Sequence, residues 1–229
     1  MGNKVWKKLW RFIWHSNSIW SWIANVIIAF VLIKFIIYPG IGLILGTSYP
    51  VVAVMSESMD HRLMHPCILF DTSENRCSKT DSSLWEICGK QNRSFNNYEF
   101  WKICGPWYEK NLSISKSDFE GYPFSGGFSK GDIMIIRGRK PAEIKAGDIL
   151  VFQADQAHPI IHRVIKITKQ NGKYVYTTKG DHNSRSDPQQ PIMEKEISED
   201  RVLGVAGFKI PWLGWIKIKF TDIMSALLR

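Results

Sequence analysis

The sequence predicts a mainly β domain carried behind one N-terminal membrane-spanning helix. Three observations support that expectation. An apolar run from Ile19 to Leu45 is broken by a single charge, Lys34. Five β-patterned segments follow one another between Asp132 and Ile210, and an Asn171-Gly172 dipeptide separates two of them.

At 229 residues the chain has room for one anchor and one globular domain with a large insertion, and scarcely for two full domains. A hydrophobic content of 45%, with charges of both signs spread along most of the chain, excludes wholesale disorder. The net charge of +9 suits either nucleic acid or an anionic membrane, so its distribution decides. Lys4, Lys7, Lys8 and Arg11 precede the apolar run, and there is no basic aromatic motif of the nucleic-acid-binding kind. No nucleic acid is expected as a partner; a lipid bilayer is.

The run from residue 19 to 45 exceeds the roughly 20 apolar residues that cross a hydrocarbon core, and it exceeds the apolar region of a cleaved secretory signal. Tyr38-Pro39-Gly40-Ile41 is a poor cleavage site. A helix apolar on every side suits lipid better than a soluble core, and Lys34 can reach an interface. The expected organisation is a basic cytoplasmic segment over 1–18, an uncleaved anchor over 19–45 and an extracytoplasmic domain over 46–229. The expected site is the cell membrane or, in a eukaryote, the endoplasmic reticulum membrane, crossed once.

Tyr49 to Met55 is a β-branched run expected to form a strand leading into Ser56-Glu57-Ser58-Met59. Residues 60–128 are polar, aromatic and short of periodicity, and read as an insertion or lid. All four cysteines, Cys67, Cys77, Cys88 and Cys104, lie there without a C-x-x-C pair, which favours two disulfides over a zinc site and leaves three pairings open. Sequons stand at Asn92 and Asn111. Strands are expected over Asp132–Arg137, Asp148–Gln153, Ile160–Thr168, Lys173–Lys179 and Arg201–Ile210, with Asp132 and Asp148 capping turns at strand starts. Pro211 to Leu228 carries Lys217, Lys219 and Asp222, too polar for a second span. With Trp212 and Trp215 it reads as a segment, 211–229, that docks on the domain or lies at the membrane interface.

Asn171-Gly172 is the strongest hairpin signal in the chain and predicts a two-residue type I′ turn. A regular ladder from that turn pairs Gln170 with Lys173 and, further along, His162 with Asp181, which would bring an imidazole and a carboxylate onto one face. Such a pair serves a serine: the hydroxyl is a weak nucleophile until a base takes its proton, and a carboxylate fixes the tautomer of that base. Ser58, at a strand end beyond the apolar run, is the candidate nucleophile.

The Ser56-Glu57-Ser58-Met59 tetrad, the Gly131-Asp132 and Gly147-Asp148 strand starts, the Ile161-His162-Arg163-Val164 run and the box from Gly180-Asp181 through Asn183 to Asp187 resemble signal peptidase I. The variant resembled is the archaeal and endoplasmic-reticulum one, with histidine as base. The likeness covers the anchor, residues 48–58 and residues 130–210. It implies a coiled, partly closed β-sheet fold and a membrane-bound serine endopeptidase that cuts signal peptides from exported preproteins after small residues. It implies Ser58 as nucleophile, His162 as general base, Asp187 or Asp181 orienting the base, and an oxyanion hole from the Ser58 backbone N–H and Ser56. Asp187 is favoured by the resemblance and Asp181 by the hairpin arithmetic. Expected partners are the signal peptides of preproteins and accessory subunits or a translocon; the mechanism calls for no metal or cofactor. Glu57 stands where the family commonly has glycine, and no proline follows Met59. The alternative expectation is a catalytically silent single-pass protein whose ectodomain binds partners.

Overall fold

The computed structural model describes residues 2–71, 76–154, 158–183 and 194–227. The chain divides into two compact units, Met1–Pro50 and Val51–Arg229.

The first unit is helical. Helix α1, Gly2–His15, is followed by α2, Ile19–Leu32, whose first turn is capped by the Ser18 side chain accepting from the Trp20 N–H. A π-helical turn, Ile33–Ile37, leads directly into α3, Tyr38–Leu45. Pro39 accounts for the widened turn: it brings no N–H for a carbonyl one turn back, and its ring needs room there. Gly46, at φ 65°, then ends the helix in the left-handed conformation. Ile19–Leu45 is the one helix among the described residues long and apolar enough to cross a membrane. The Lys34 ammonium lies 5.6 Å and 5.4 Å from the ring centroids of Phe30 and Phe35.

The second unit is mainly β. Its strands are β1 (Val51–Ala53), β2 (Cys67–Asp71), β3 (Arg76–Thr80), β4 (Trp85–Ile87), β5 (Lys90–Asn92), β6 (Ile133–Arg137), β7 (Ile149–Phe152), β8 (Ile160–Gln170), β9 (Lys173–Lys179), β10 (Glu194–Ser198) and β11 (Val202–Ile210). Seven of them form one curled half-barrel sheet in the order β1-β6-β11-β7-β8-β9-β10, with every neighbour antiparallel. Bulges interrupt the ladders of β11 with β6 and β7, of β8 with β9, and of β10 with β9. Each adds local twist, which is how a sheet curls instead of lying flat.

β7 shows why the sheet sits in the middle of the unit. All four of its residues are buried, and they alternate between two cores. Ile149 and Val151 join Met59, Phe128, Met134, Ile136 and Ile161; Leu150 and Phe152 join Val164, Tyr176, Ile197 and Val205. An unbroken apolar run in a strand covered on both faces is the expected consequence.

The five strands read from the sequence are present, and Asn171 and Gly172 turn with φ 51° and 81°, the positive pair that a type I′ turn requires. β10 went unread: in Glu194-Lys195-Glu196-Ile197-Ser198 only Ile197 is apolar, so no alternation is visible. Asp132 and Asp148 do cap their turns, accepting from the backbone N–H groups of Ser129 and Lys145.

Residues 60–128 carry two small hairpins, β2–β3 and β4–β5, and helices α4 (Phe100–Leu112) and α5 (Lys116–Glu120). Two disulfides staple them, Cys67–Cys77 and Cys88–Cys104, the sequential pairing of the three that the spacing allowed. Tyr108 and Phe119 form a third small core with Ile165, the residue at the β8 bulge. The final helix, α6 (Trp215–Leu227), begins with Trp215 against Gly131 and buries Ile218, while Ile216, Phe220 and Ile223 are exposed.

Gly147 tests the close packing before β7. Its φ is +93°, and a Cβ there would run into the Tyr122 ring. Gly147→Ala is expected to destabilise the protein by about 2–4 kcal/mol. Gly126→Ala, with nothing within 4 Å, should stay within about 0.5 kcal/mol of wild type. Paired urea unfolding curves in detergent would check both.

Candidate active site

The segment after β1 is tied down at successive backbone groups. The Val54 N–H donates to the Asp132 carbonyl and the Gly131 N–H returns to the Val54 carbonyl. The carbonyls of Ser58, Met59 and Asp60 accept, in order, from the His182 N–H, the Phe128 N–H and the His182 Nδ1. Met59 is buried in the core formed around β6 and β7. The residue after the candidate nucleophile is thus a core anchor, which limits how far Ser58 can move.

Ser58 and His162 are both 5% exposed, and the Ser58 Oγ lies 2.9 Å from His162 Nε2. That is hydrogen-bond distance for a hydroxyl whose proton can pass to an imidazole. β8 carries His162 opposite Leu150 of the fully buried β7, so the ring's backbone is held in the middle of the sheet. Ser56 is exposed, and its hydroxyl sits 3.2 Å from that of Ser58.

Asp181 is placed differently from the hairpin arithmetic. The ladder runs in register from Gln170↔Lys173 to Lys166↔Thr177, then shifts by one residue before Val164↔Thr178 and Arg163↔Lys179. Ile165 is the extra residue, and its side chain enters the core around Tyr108 and Phe119. The shift takes Asp181 out of register with His162, and its carboxylate is fully buried among other groups. Arg163 grips it in a fork, Nε to Oδ1 at 2.9 Å and Nη2 to Oδ2 at 2.7 Å. Tyr108 donates to Oδ1 at 3.0 Å, and His61 Nε2 lies 2.9 Å from Oδ2. Asp187, the other acidic expectation, lies outside the described residues.

Arg163 uses all five of its N–H groups: beyond Asp181 it donates to the carbonyls of Pro123, Gly147 and Phe124, and its guanidinium lies over the Phe119 ring. Burial alone would raise the Asp181 carboxyl, but the Arg163 charge and the hydrogen bonds from His61 and Arg163 outweigh it and hold the group well below the ordinary carboxylate range. His182 shows the opposite balance. Burial disfavours its charged form and pushes it down to about 4, so at neutral pH its Nδ1–H donates to the Asp60 carbonyl from a neutral ring.

Sequence reasoning missed these supporting residues. Asp60 and His61 fall in the segment read as an insertion, and nothing in the sequence singles out His182. Yet Asp60 holds Arg62 in a fork and His61 stacks on Phe100 at 3.6 Å between centroids. The only local signal was the alternation along β8, which puts Arg163 on the face opposite His162. Nothing local connects His61 with a carboxylate 120 residues away.

The fold and the site define the class as a curled antiparallel β domain, with a buried serine–histidine hydrogen bond, following an apolar N-terminal helix. No protein-family model matches the chain. Among curated proteins the chain is similar to the signal peptidase complex catalytic subunit SEC11 of Candida tropicalis, at 34% identity over 102 residues, 42% of this chain and 58% of that protein. It is also 34% identical over 102 residues to signal peptidase complex catalytic subunit SEC11C of Homo sapiens, 42% of this chain and 51% of that protein. Against signal peptidase complex catalytic subunit sec11 of Schizosaccharomyces pombe the identity is 31% over 117 residues, 42% of this chain and 61% of the relative. The chain thus spans 51% to 61% of the length of these relatives.

Two predictions follow from the buried groups. Asp181→Ala leaves the Arg163 charge buried without its partner and should destabilise the fold by about 3–5 kcal/mol, read as a lower midpoint in denaturant unfolding. For His182 the folded value is lowered, so its contribution is complete above pH 6.5 and is lost as pH falls towards about 4, on the order of 3 kcal/mol across that window. The melting temperature of the wild type should fall over that range, and His182→Asn, which keeps a donor for Asp60, should fall less steeply.

Proposed function

We propose that the chain is a membrane-anchored serine endopeptidase of the signal peptidase type, removing signal peptides from exported preproteins by cutting after small residues. The observation that carries the reading is the buried 2.9 Å contact between the Ser58 Oγ and His162 Nε2. The similarity to SEC11 proteins, each named as the catalytic subunit of a signal peptidase complex, supports the substrate class and a multi-subunit setting.

In this reading His162 takes the Ser58 proton as Oγ attacks the scissile carbonyl, then returns it to the departing amine. Water, activated by the same imidazole, releases the acyl group. The Ser58 backbone N–H and the Ser56 hydroxyl stabilise the oxyanion; a donor of this kind contributes about 3 kcal/mol to the transition state. Asp187 orients His162, because the carboxylate of Asp181 is already committed to Arg163, His61 and Tyr108. Ile19–Leu45 spans the membrane once with residues 1–18 in the cytoplasm and the domain from residue 46 on the other face; α6 lies at the membrane interface. Ser58 follows Leu45 by only 13 residues, so the anchor confines the nucleophile to the neighbourhood of the bilayer, where signal peptides present their cleavage sites.

In a preprotein cleavage assay in liposomes, Ser58→Ala and His162→Ala should each lower the rate by about four orders of magnitude or more with folding intact. Asp187→Asn should lose rate while keeping its unfolding midpoint, whereas Asp181→Asn should lose the midpoint first. Normal processing by Ser58→Ala would sink the proposal. A folded wild type that neither cleaves nor reacts with a serine-directed acylating probe would favour a silent binding ectodomain.

A further inference from the structure

The first 56 residues contain no acidic side chain; Glu57 is the first. Within that stretch α1 separates its residues by chemistry. At 3.6 residues per turn, Lys4, Lys7, Lys8, Arg11 and His15 fall within an arc of about 100°, while Val5, Trp6, Trp10, Phe12 and Trp14 occupy the remainder. The tryptophans recur every fourth residue along one border between the faces, and the rings of Trp10 and Trp14 lie 5.7 Å apart. Among the described residues this apolar face is largely exposed, Val5 to 68% and Trp6 to 66%. Along the border runs an open groove lined by Trp6, Lys7, Trp10, Arg11 and His15, aromatic on one wall and cationic on the other.

The junction with α2 fixes where this helix sits. The Ser21 hydroxyl donates to the Phe12 carbonyl, and the Asn25 side-chain amide donates to the Ile13 carbonyl at 2.9 Å. Two carbonyls that the end of α1 would leave without a helical partner are thus satisfied by the first two turns of α2. A straight helical continuation would separate Phe12 from Ser21 by about 13 Å along the axis, so the chain turns back at Ser16-Asn17-Ser18. The last turn of α1 is held at the level where the apolar rod begins.

We infer that α1 is an in-plane membrane helix whose basic face and tryptophan-lined groove bind the phosphate headgroups of anionic phospholipids. Phe12, Val5 and the tryptophans enter the boundary between headgroups and acyl chains, the depth at which indole rings are favoured. The cationic arc stays at the phosphates, each basic residue adding roughly a fivefold preference for an anionic surface. The absence of acidic residues removes internal neutralisation of that charge. The inference rests on the reading that Ile19–Leu45 lies in a bilayer.

The test uses the full chain in nanodiscs, with single cysteines labelled by a water-soluble maleimide without reductant, so that the two native disulfides stay closed. Val5→Cys, Trp6→Cys and Trp10→Cys report the apolar face, Lys4→Cys, Lys8→Cys and Arg11→Cys the basic face, and Ile28→Cys the rod. In phosphatidylcholine with about 30% phosphatidylserine, the apolar-face cysteines should react at least about tenfold more slowly than the basic-face ones. The contrast should shrink to less than about threefold in phosphatidylcholine alone, and also when Lys4→Glu, Lys8→Glu and Arg11→Glu are combined, with Lys7→Cys then reporting the basic face. Equal reactivity around the helix in the anionic discs, fast or slow, overturns the inference, as does the same contrast in both lipids. Fast labelling at Ile28→Cys would instead overturn the membrane reading, and so separates the two failures.

Discussion

The buried pair of Arg163 and Asp181 is the constraint around which the β unit is arranged. An uncompensated charge in an apolar interior is unfavourable by several kcal/mol, so wherever Arg163 goes, a carboxylate and enough acceptors must follow. The five donors of its guanidinium reach the segment after β9, the carbonyls of Pro123 and Phe124 at the end of the 60–128 segment, and Gly147 before β7. His61 and Tyr108 add the segment after Ser58 and helix α4 to the same carboxylate. Five parts of the chain distant in sequence are thereby registered against one charge pair.

That registration bears on the site through alternation. Arg163 and His162 are consecutive residues of β8 and point to opposite faces, so the grip on Arg163 also fixes the strand from which the imidazole projects. Ser58 is fixed from the other side by Met59 in the core and by His182, whose neutral ring and backbone N–H hold the carbonyls of Asp60 and Ser58. A hydroxyl and an imidazole held 2.9 Å apart by two such frames need little reorganisation before proton transfer.

Most of the sheet was legible in the sequence because its strands are apolar on both faces or alternate cleanly, and because Asn171-Gly172 fixed one hairpin. Ser58 and His162 were legible as residues of a recognisable pattern. The position of Asp181 was not: one unpaired residue, Ile165, moves every pairing beyond it by one step, and no local feature of Val164-Ile165-Lys166 announces a bulge. The bulge follows instead from a tertiary demand, since Ile165 fills the core between the sheet and the 60–128 segment. Treating residues 60–128 as separate hid His61 and Tyr108 for the same reason. That segment contributes directly to the ion-pair cluster, and its contribution is visible only once the chain has folded.

The two halves of the chain solve the problem of charge in opposite ways. In the β unit a cation is taken fully out of water, so it must be matched by a carboxylate and saturated with acceptors; Arg163 meets both conditions. In the N-terminal helices the cations of α1 have no carboxylate within the first 56 residues, and Lys34 lies beside the rings of Phe30 and Phe35. A protein can leave charges unmatched internally only where its surroundings match them, either as water or as an anionic surface. The exposed tryptophan face beside those charges is unfavourable in water alone and favourable at a headgroup boundary. The uneven distribution of acid between the two units therefore reads as a division between a domain that carries its own counter-ions and a helix that finds them in lipid.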